Sequence, residues 1–122
     1  MKIIGDSIVP FEEFFKVSNV EEIKNTKPNS LIFFEYNEEL LKYCYLNNLN
    51  YFVQINSVKE GLYANSLNAK YIVCKKTLAK KMQKIAENYM FDSKILAIIK
   101  SNDELEEIAL DEIDGVIYKE LI

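Results

Sequence analysis

The sequence predicts an α/β domain whose sheet is mainly parallel, and three features of the pattern predict it. Short apolar runs alternate with segments of helical periodicity from Phe14 to the end of the chain. The runs are rich in β-branched and aromatic residues and mostly do not alternate with polar ones, which is typical of strands buried on both faces. The runs begin about 17 to 24 residues apart, which is the length of a minimal strand–helix unit.

Six apolar runs are the predicted strands. They are Phe14–Val17, Leu31–Phe34, Tyr51–Ile55, Tyr71–Cys74, Ile95–Ile99 and Val116–Tyr118. The arm that precedes them, residues 1–12, is apolar enough at Ile3, Ile4, Ile8 and Val9 to dock on the sheet, and we expect it to form an edge strand.

Helix starts follow most of these strands. Three Ser-x-x-Glu motifs fit the capping box, in which the Ser and Glu side chains bond each other's backbone amides: Ser18 with Glu21, Ser57 with Glu60, and Ser101 with Glu104. Asn37 and Thr77 are expected to cap two further helices without the box. Gly61 falls inside the helix that follows Ser57, and we interpret it as a close approach of that helix to the sheet.

These elements predict one domain spanning residues 1–122. Right-handed strand–helix–strand crossovers favour a three-layer αβα architecture with a five- or six-stranded sheet, like that of flavodoxin-like and Rossmann-like domains. The alternative is a partial (βα) barrel. A complete barrel needs about 200 residues or more, so it would require a partner chain.

The composition excludes several kinds of chemistry. The chain of 122 residues contains no His and no Arg, so it lacks the usual general base near neutral pH and the planar fork that grips phosphate bidentately. Its net charge is −4, opposite in sign to that of a nucleic-acid-binding surface. Its three glycines form no dinucleotide or P-loop motif. We expect no metal, no cofactor and no nucleic-acid partner.

Two isolated cysteines, Cys44 and Cys74, form no metal-binding motif. We expect both to be reduced and buried as small apolar residues. No apolar run approaches the length of a membrane span or a signal peptide, so we expect a cytoplasmic protein without a membrane partner.

Charged residues stand at the ends of several predicted strands, where open α/β sheets bind their ligands. Lys75, Lys100 and Lys119 end three strands, and Glu35 ends another. We favour the simpler interpretation, in which a lysine-rich chain places solvated lysines at strand ends. The alternative is a ring of cations that binds a small anion such as phosphate, or a lysine that attacks a carbonyl.

The length and the order of elements resemble the receiver domains of two-component signalling. Lys100 matches the lysine that these domains carry after the fifth strand, and Thr77 lies near their conserved hydroxyl. Asn56 stands where the phospho-accepting aspartate belongs, and Ser18 and Asn19 stand where the acidic pair belongs. The resemblance implies at most a relative that cannot be phosphorylated. The chain also resembles short bacterial α/β proteins.

Charge is unevenly distributed along the chain, with lysines near residues 75–84 and acidic residues at 103–114. Our leading hypothesis is a non-catalytic domain that acts by self-association as a homodimer, or by binding another protein. The first rival is a small enzyme or anion-binding protein that uses Glu35, Lys75, Lys100 and Lys119. The second is a degenerate receiver-like regulatory domain.

Overall fold

One sheet of seven strands runs through the computed structural model, which describes residues 1–122, and every neighbouring pair is parallel. The strands are β1 (Lys2–Ile4), β2 (Phe14–Lys16), β3 (Leu31–Glu35), β4 (Tyr51–Gln54), β5 (Tyr71–Lys75), β6 (Lys94–Ile99) and β7 (Gly115–Tyr118). The helices are α1 (Val20–Lys24), α2 (Glu38–Leu46), α3 (Val58–Ser66), α4 (Lys76–Asn88) and α5 (Leu105–Leu110), with 3₁₀ turns at Asn102–Glu104 and Lys119–Leu121. The α/β class is confirmed. The sheet has seven strands because the N-terminal arm adds β1 to the six predicted ones.

The strand order differs from the doubly wound expectation. The order is β1-β7-β6-β5-β4-β3-β2, so that from β2 to β7 each strand lies beside the next one in the sequence. Right-handed crossovers that all advance in one direction place every helix on the same face. The structure shows this separation: buried residues of all five helices belong to one core cluster, whereas the second cluster contains strand residues alone. Two layers therefore replace the predicted three, in the strand order expected of a partial (βα) barrel.

The helix-free face of the sheet curls around its own side chains. The rings of Phe14 in β2 and Phe52 in β4 lie 5.0 Å apart, although β3 separates their strands. The Lys2 ammonium in β1 lies 5.9 Å from the ring centre of Tyr71 in β5. Three strand spacings of a flat sheet would cover about 14 Å. The curl therefore brings distant strands together across a lumen.

Large aromatic side chains fill this lumen. Phe33 and Phe52 are completely buried and lie 4.7 Å apart, and Phe52 packs edge-on against Tyr71 at 5.6 Å. Each fully buried ring contributes about 1.5–3 kcal/mol relative to an exposed one. The helix-free face of the sheet therefore forms a second hydrophobic core from its own side chains, and no third layer is needed to bury that face.

One of the predicted capping boxes is complete, one is half formed, and one is shifted. The Ser101–Glu104 box is complete. Ser57 accepts a hydrogen bond from the Glu60 amide, but the Glu60 carboxylate accepts from the Asn56 amide instead of the Ser57 amide. At α1 the cap is Asn19, one residue later than predicted, and it accepts from the Glu22 amide at 2.9 Å. Asn is as good a helix cap as Ser, so the adjacent residues Ser18 and Asn19 gave two possible starting positions for α1.

The other two predicted caps had opposite outcomes. Asn37 caps α2 by accepting from the Leu40 amide at 3.1 Å. Thr77 does not cap α4, because that helix begins at Lys76, immediately after β5, and its N-cap position is Lys75. No side chain caps the first amides of α4.

Both cysteines are buried in the helix-bearing core, as predicted. Cys44 in α2 and Cys74 in β5 are completely inaccessible, and burial raises the pKa of each thiol to about 12. None of the five α-helices has the length and apolar character needed to cross a bilayer.

Gly115 and Gly61 lie where two pairs of elements approach closely, β1 with β7 and α3 with α4. A methyl group on Gly115 would collide with the Lys2 carbonyl oxygen and lie 2.8 Å from Leu96 Cδ2, so β1 would have to move. On Gly61 it would meet the flexible end of Met82 in α4, at 2.5 Å from Cε. The close approach at Gly61 therefore involves a neighbouring helix as well as Ile55 below it, whereas the sequence had suggested the sheet alone.

We expect Gly115→Ala to lower the free energy of unfolding by about 1–3 kcal/mol, because backbone must shift to admit the methyl group. Gly61→Ala is the matched control. Its clash falls on the end of the unbranched Met82 side chain, which can change rotamer, and alanine adds up to about 1 kcal/mol of helix propensity. Urea unfolding measures both. Equal losses in the two variants would contradict the tight β1–β7 contact.

Candidate functional site

The four predicted site residues line one cleft at the carboxyl edge of the sheet. This cleft has a volume of about 670 Å³, and we call it the mouth. Glu35 ends β3, Lys75 ends β5, and Lys100 and Lys119 follow β6 and β7. Glu35 and Lys119 are 84 positions apart in the sequence, and the curl of the sheet brings them to the same cleft.

Strand alternation explains why these side chains reach the mouth. Successive residues point to opposite faces, so every second residue along a strand lines the lumen. Phe33 and Val73 are lumen residues, and two positions later come Glu35 and Lys75. The same step leads from Ile117 to Lys119. Each strand thus changes from apolar to charged where the lumen opens to water.

The charges of the mouth are unbalanced. The charged side chains of its lining are Lys75, Lys76, Lys100 and Lys119 against only Glu35 and Glu104, in a protein whose net charge is −4. Ile122 also lines the mouth, and its backbone oxygen accepts a hydrogen bond from Lys16 Nζ at 3.2 Å. The side chains of Lys75, Lys100, Lys119 and Glu35 form no ion pair or hydrogen bond within the protein. Three ammonium groups without an intramolecular partner therefore face a shared space.

Glu104 holds one wall of the mouth together. One of its carboxylate oxygens accepts from Lys76 Nζ at 2.6 Å, and the other accepts from the backbone amides of Lys100 at 2.6 Å and Ser101 at 3.2 Å. The bond from Lys76, and after it the amide of Lys100, lowers the pKa of Glu104 to about 2. In the same pair, the hydrogen bond to Glu104 raises the pKa of Lys76. Lys76 is therefore engaged by the protein itself, and the turn that carries Lys100 is fixed.

The start of α4 adds to the positive potential. Lys76 and Thr77 line the mouth, and the first amides of this 13-residue helix have no side-chain cap. The amino end of a helix carries a partial positive charge. At α2, by contrast, Asn37 occupies this position and Glu38 and Glu39 follow it. The cationic character of the mouth is thus concentrated on the side formed by β5, β6 and β7.

Two polar residues of the mouth region were not among the predicted site residues. Gln54 ends β4, pairs in register with Glu35 and lines the mouth. Lys16 ends β2 and lines an adjoining cleft of about 340 Å³, which shares Glu35 with the mouth. Gln54 lies two residues after Phe52, and Lys16 lies two residues after Phe14. Strand alternation would therefore have indicated both residues if the lumen-facing side of the sheet had been known from the sequence.

The receiver resemblance receives no support from the strand order. Receiver domains are doubly wound, whereas this sheet advances in one direction. Lys100 and Thr77 both line the mouth, but Asn56 is not part of its lining. No group of three His, Cys, Asp or Glu side chains is placed to hold a metal ion. In comparisons with known proteins, no family model and no curated sequence matches the chain.

The role of Glu104 predicts a dependence of stability on pH. A carboxyl group whose pKa is lowered on folding stabilises the fold above its ordinary value of 4.5, and this contribution is lost as the pH falls toward about 2. We expect Glu104→Gln to lower the free energy of unfolding by about 1 kcal/mol at pH 7, since the charge at the helix start is removed. The difference in the free energy of unfolding between Glu104→Gln and the parent protein should become smaller as the pH falls from 4.5 to 3.

Glu107→Gln is the control, because Glu107 contacts Lys76 only at 3.4 Å and its side chain is 57% exposed. Its effect at pH 7 should be a few tenths of a kcal/mol. Urea unfolding at several pH values makes the comparison. A Glu104→Gln deficit that is constant from pH 7 to pH 3 would contradict the assigned role.

Proposed function

We propose that the protein binds a small anionic ligand, bearing a phosphate or a carboxylate, in the mouth of the curled sheet. The observation that carries this proposal is the convergence of Lys75, Lys100 and Lys119 in one cleft without an intramolecular partner for any of them. Ammonium groups gathered without counter-charges repel one another, and a bound anion relieves that repulsion. All three lysines are exposed, as our first interpretation of solvated strand ends requires, but that interpretation gives no role to the cleft they share.

The chemistry of the mouth suits binding better than catalysis. Lysine is a point charge with three donors, and several lysines together can surround a phosphate that no arginine fork grips. The carboxyl edge of a parallel sheet is also where α/β proteins hold their ligands. The chain has no His to transfer protons near neutral pH. We therefore propose a binding protein without a catalytic step.

We expect inorganic phosphate or sulfate to stabilise the parent protein against heat. A ligand at a hundredfold excess over its dissociation constant adds about 2.7 kcal/mol, a rise in melting temperature on the order of 10 °C. Lys100→Met and Lys119→Met should each abolish most of this rise. Without ligand they should change stability by only a few tenths of a kcal/mol, since removing one like charge also relieves repulsion.

Lys94→Met is the matched control for Lys100→Met. Lys94 is an exposed lysine on the same strand, β6, but at the opposite end of the sheet. This variant should keep the full rise with phosphate. If phosphate and small keto acids stabilise none of the proteins, or stabilise the Lys100→Met and Lys119→Met variants as much as the parent, the binding proposal is wrong.

Self-association is the second candidate, and an apolar groove between α3 and α4 favours it. The groove has a volume of about 610 Å³, and five of its seven lining residues are apolar. Leu62 and Tyr89 lie in it and are 42% and 75% exposed, and Met90 follows at 85%. A cluster of exposed large apolar side chains is typical of a protein interface. We propose that a second copy of the chain covers it.

The uneven charge distribution gives this candidate less support than the sequence suggested. Lys76 pairs with Glu104 and Glu107, and Lys80 pairs with Asp111 at 3.5 Å. Two of the four lysines of α4 therefore find acidic partners in or beside α5 in the same molecule. An association through the groove should consequently be insensitive to salt.

We expect sedimentation at tens of micromolar to show a dimer at both low and high salt. The double change Leu62→Glu and Tyr89→Glu should produce the monomer, because it places two charges in the groove. Leu110→Glu is the control, since Leu110 is exposed on α5, outside the groove. A parent protein that sediments only as a 14 kDa species at both salt concentrations would exclude self-association.

A further inference from the structure

The two sides of the mouth differ in chemistry, and this difference restricts the ligand. Lys75, Lys100 and Lys119 belong to the side formed by β5, β6 and β7. On the other side, Glu35 and Gln54 are paired neighbours at the ends of β3 and β4. One side therefore offers positive charge, and the other offers a carboxylate and an amide.

Neither Glu35 nor Gln54 uses its side chain within the protein. No hydrogen bond or ion pair of the structure involves either group. Gln54 is half-buried at the rim of the lumen, so its amide is partly withdrawn from water. An ionised carboxylate accepts hydrogen bonds only, whereas an amide both donates and accepts. Together they suit groups that can donate and accept, which hydroxyls do.

The carboxylate excludes some ligands of the mouth. A ligand with anionic groups at both ends would place one of them beside Glu35 and be repelled. A ligand with an ammonium group at that end would be attracted by Glu35 but repelled by the Lys16 ammonium, which lines the adjoining cleft together with Glu35 and donates a hydrogen bond to the Ile122 backbone oxygen at 3.2 Å. A neutral end that carries hydroxyls meets neither repulsion.

The spacing of the strands sets the length of the ligand. Neighbouring strands lie about 4.8 Å apart, so two spacings, from Gln54 on β4 to Lys100 beyond β6, cover at most about 10 Å, and the curl of the sheet shortens that span. With carbon–carbon bonds of about 1.5 Å, a chain of about five carbons and its phosphate reaches across. The mouth, at about 670 Å³, has room for such a molecule.

We propose that the ligand is the phosphate monoester of a polyol of about five carbons. Its phosphate lies among Lys75, Lys100 and Lys119, and its hydroxyl groups bond Glu35 and Gln54. This inference rests on the proposed function, since it assigns the lysines to the anionic end. It adds that the opposite side of the mouth selects the neutral, hydroxylated part of the ligand.

Calorimetry with three matched probes tests the inference: ribitol 5-phosphate, n-pentyl phosphate and 5-aminopentyl phosphate. They share a five-carbon chain and a phosphate and differ in hydroxyls, in apolar character and in a terminal ammonium. We expect ribitol 5-phosphate to bind at least about tenfold more tightly than n-pentyl phosphate, because a site that bonds hydroxyls disfavours the analogue without them. The aminopentyl ester should bind no better than the pentyl ester.

Two variants locate the selection. Glu35→Leu should remove most of the preference for ribitol 5-phosphate over n-pentyl phosphate, and its urea unfolding transition checks that the variant is folded. Lys119→Met should weaken all three esters together. Glu39→Gln, an exposed carboxylate on α2, is the control and should retain the preference.

The outcomes separate the two proposals. If the three esters bind equally well, or the aminopentyl ester binds best, the polyol assignment is overturned while anion binding stands. A preference for ribitol 5-phosphate that persists in Glu35→Leu also overturns it. If neither inorganic phosphate nor any ester binds, both proposals fail.

Discussion

The direction in which the chain winds constrains every other feature of this structure. Because each strand from β2 to β7 lies beside its successor, and parallel crossovers are right-handed, all five helices cover one face of the sheet. The opposite face then has no layer to bury it, although its strands carry Phe33, Phe52 and Leu96 there. Curling the sheet removes these side chains from water. The lumen is therefore a consequence of the winding, and the aromatic side chains that fill it stabilise the curl.

The curl also accounts for the site. Parallel strands end at the same edge, but in a flat sheet the ends of β3 and β7 would lie about 19 Å apart. In the curled sheet they surround one cleft, so Glu35 and Lys119 line the same space. Alternation along each strand then places an apolar residue in the lumen and a polar one at its rim. Glu104 accepts hydrogen bonds from the Lys76 side chain and from the Lys100 amide, so the protein's own contacts hold the turn beyond β6 that carries Lys100.

Local sequence signals predicted the elements well and their arrangement poorly. All six apolar runs are strands, because β-branched and aromatic residues in unbroken runs identify buried strands from the sequence alone. The strand order was not accessible in the same way. A strand is buried on both faces when it lies between two helix layers, and also when it lies between a helix layer and a packed lumen. Buried apolar residues such as Phe33 and Val73 are therefore expected in either fold, and they do not distinguish the two. The start of a helix was also ambiguous where two capping residues are adjacent, as at Ser18 and Asn19 before α1.

The candidate site was predicted from the strand-end rule, which depends on direction and not on strand order. That rule named Glu35, Lys75, Lys100 and Lys119, and the structure brings all four to the mouth. Gln54 also stands at a strand end but is uncharged and was not selected, and Lys16 was not selected because it lies inside the predicted strand Phe14–Val17. The pairing of Lys76 and Lys80 with acidic residues in or near α5 was likewise hidden, since the sequence shows two charge clusters but not that their helices are neighbours.

A nuclear Overhauser measurement across the lumen tests the curled sheet most directly. In the structure the Lys2 ammonium lies 5.9 Å from the centre of the Tyr71 ring, with β6 and β7 between their strands. The account predicts cross-peaks between the Lys2 side-chain methylene protons and the Tyr71 ring protons, with upfield shifts of the methylene signals from the ring current. In a flat sheet these strands would lie about 14 Å apart. Tyr71 cross-peaks to β4 and β6 with none to Lys2 would show that the sheet is open, and the shared mouth would not exist.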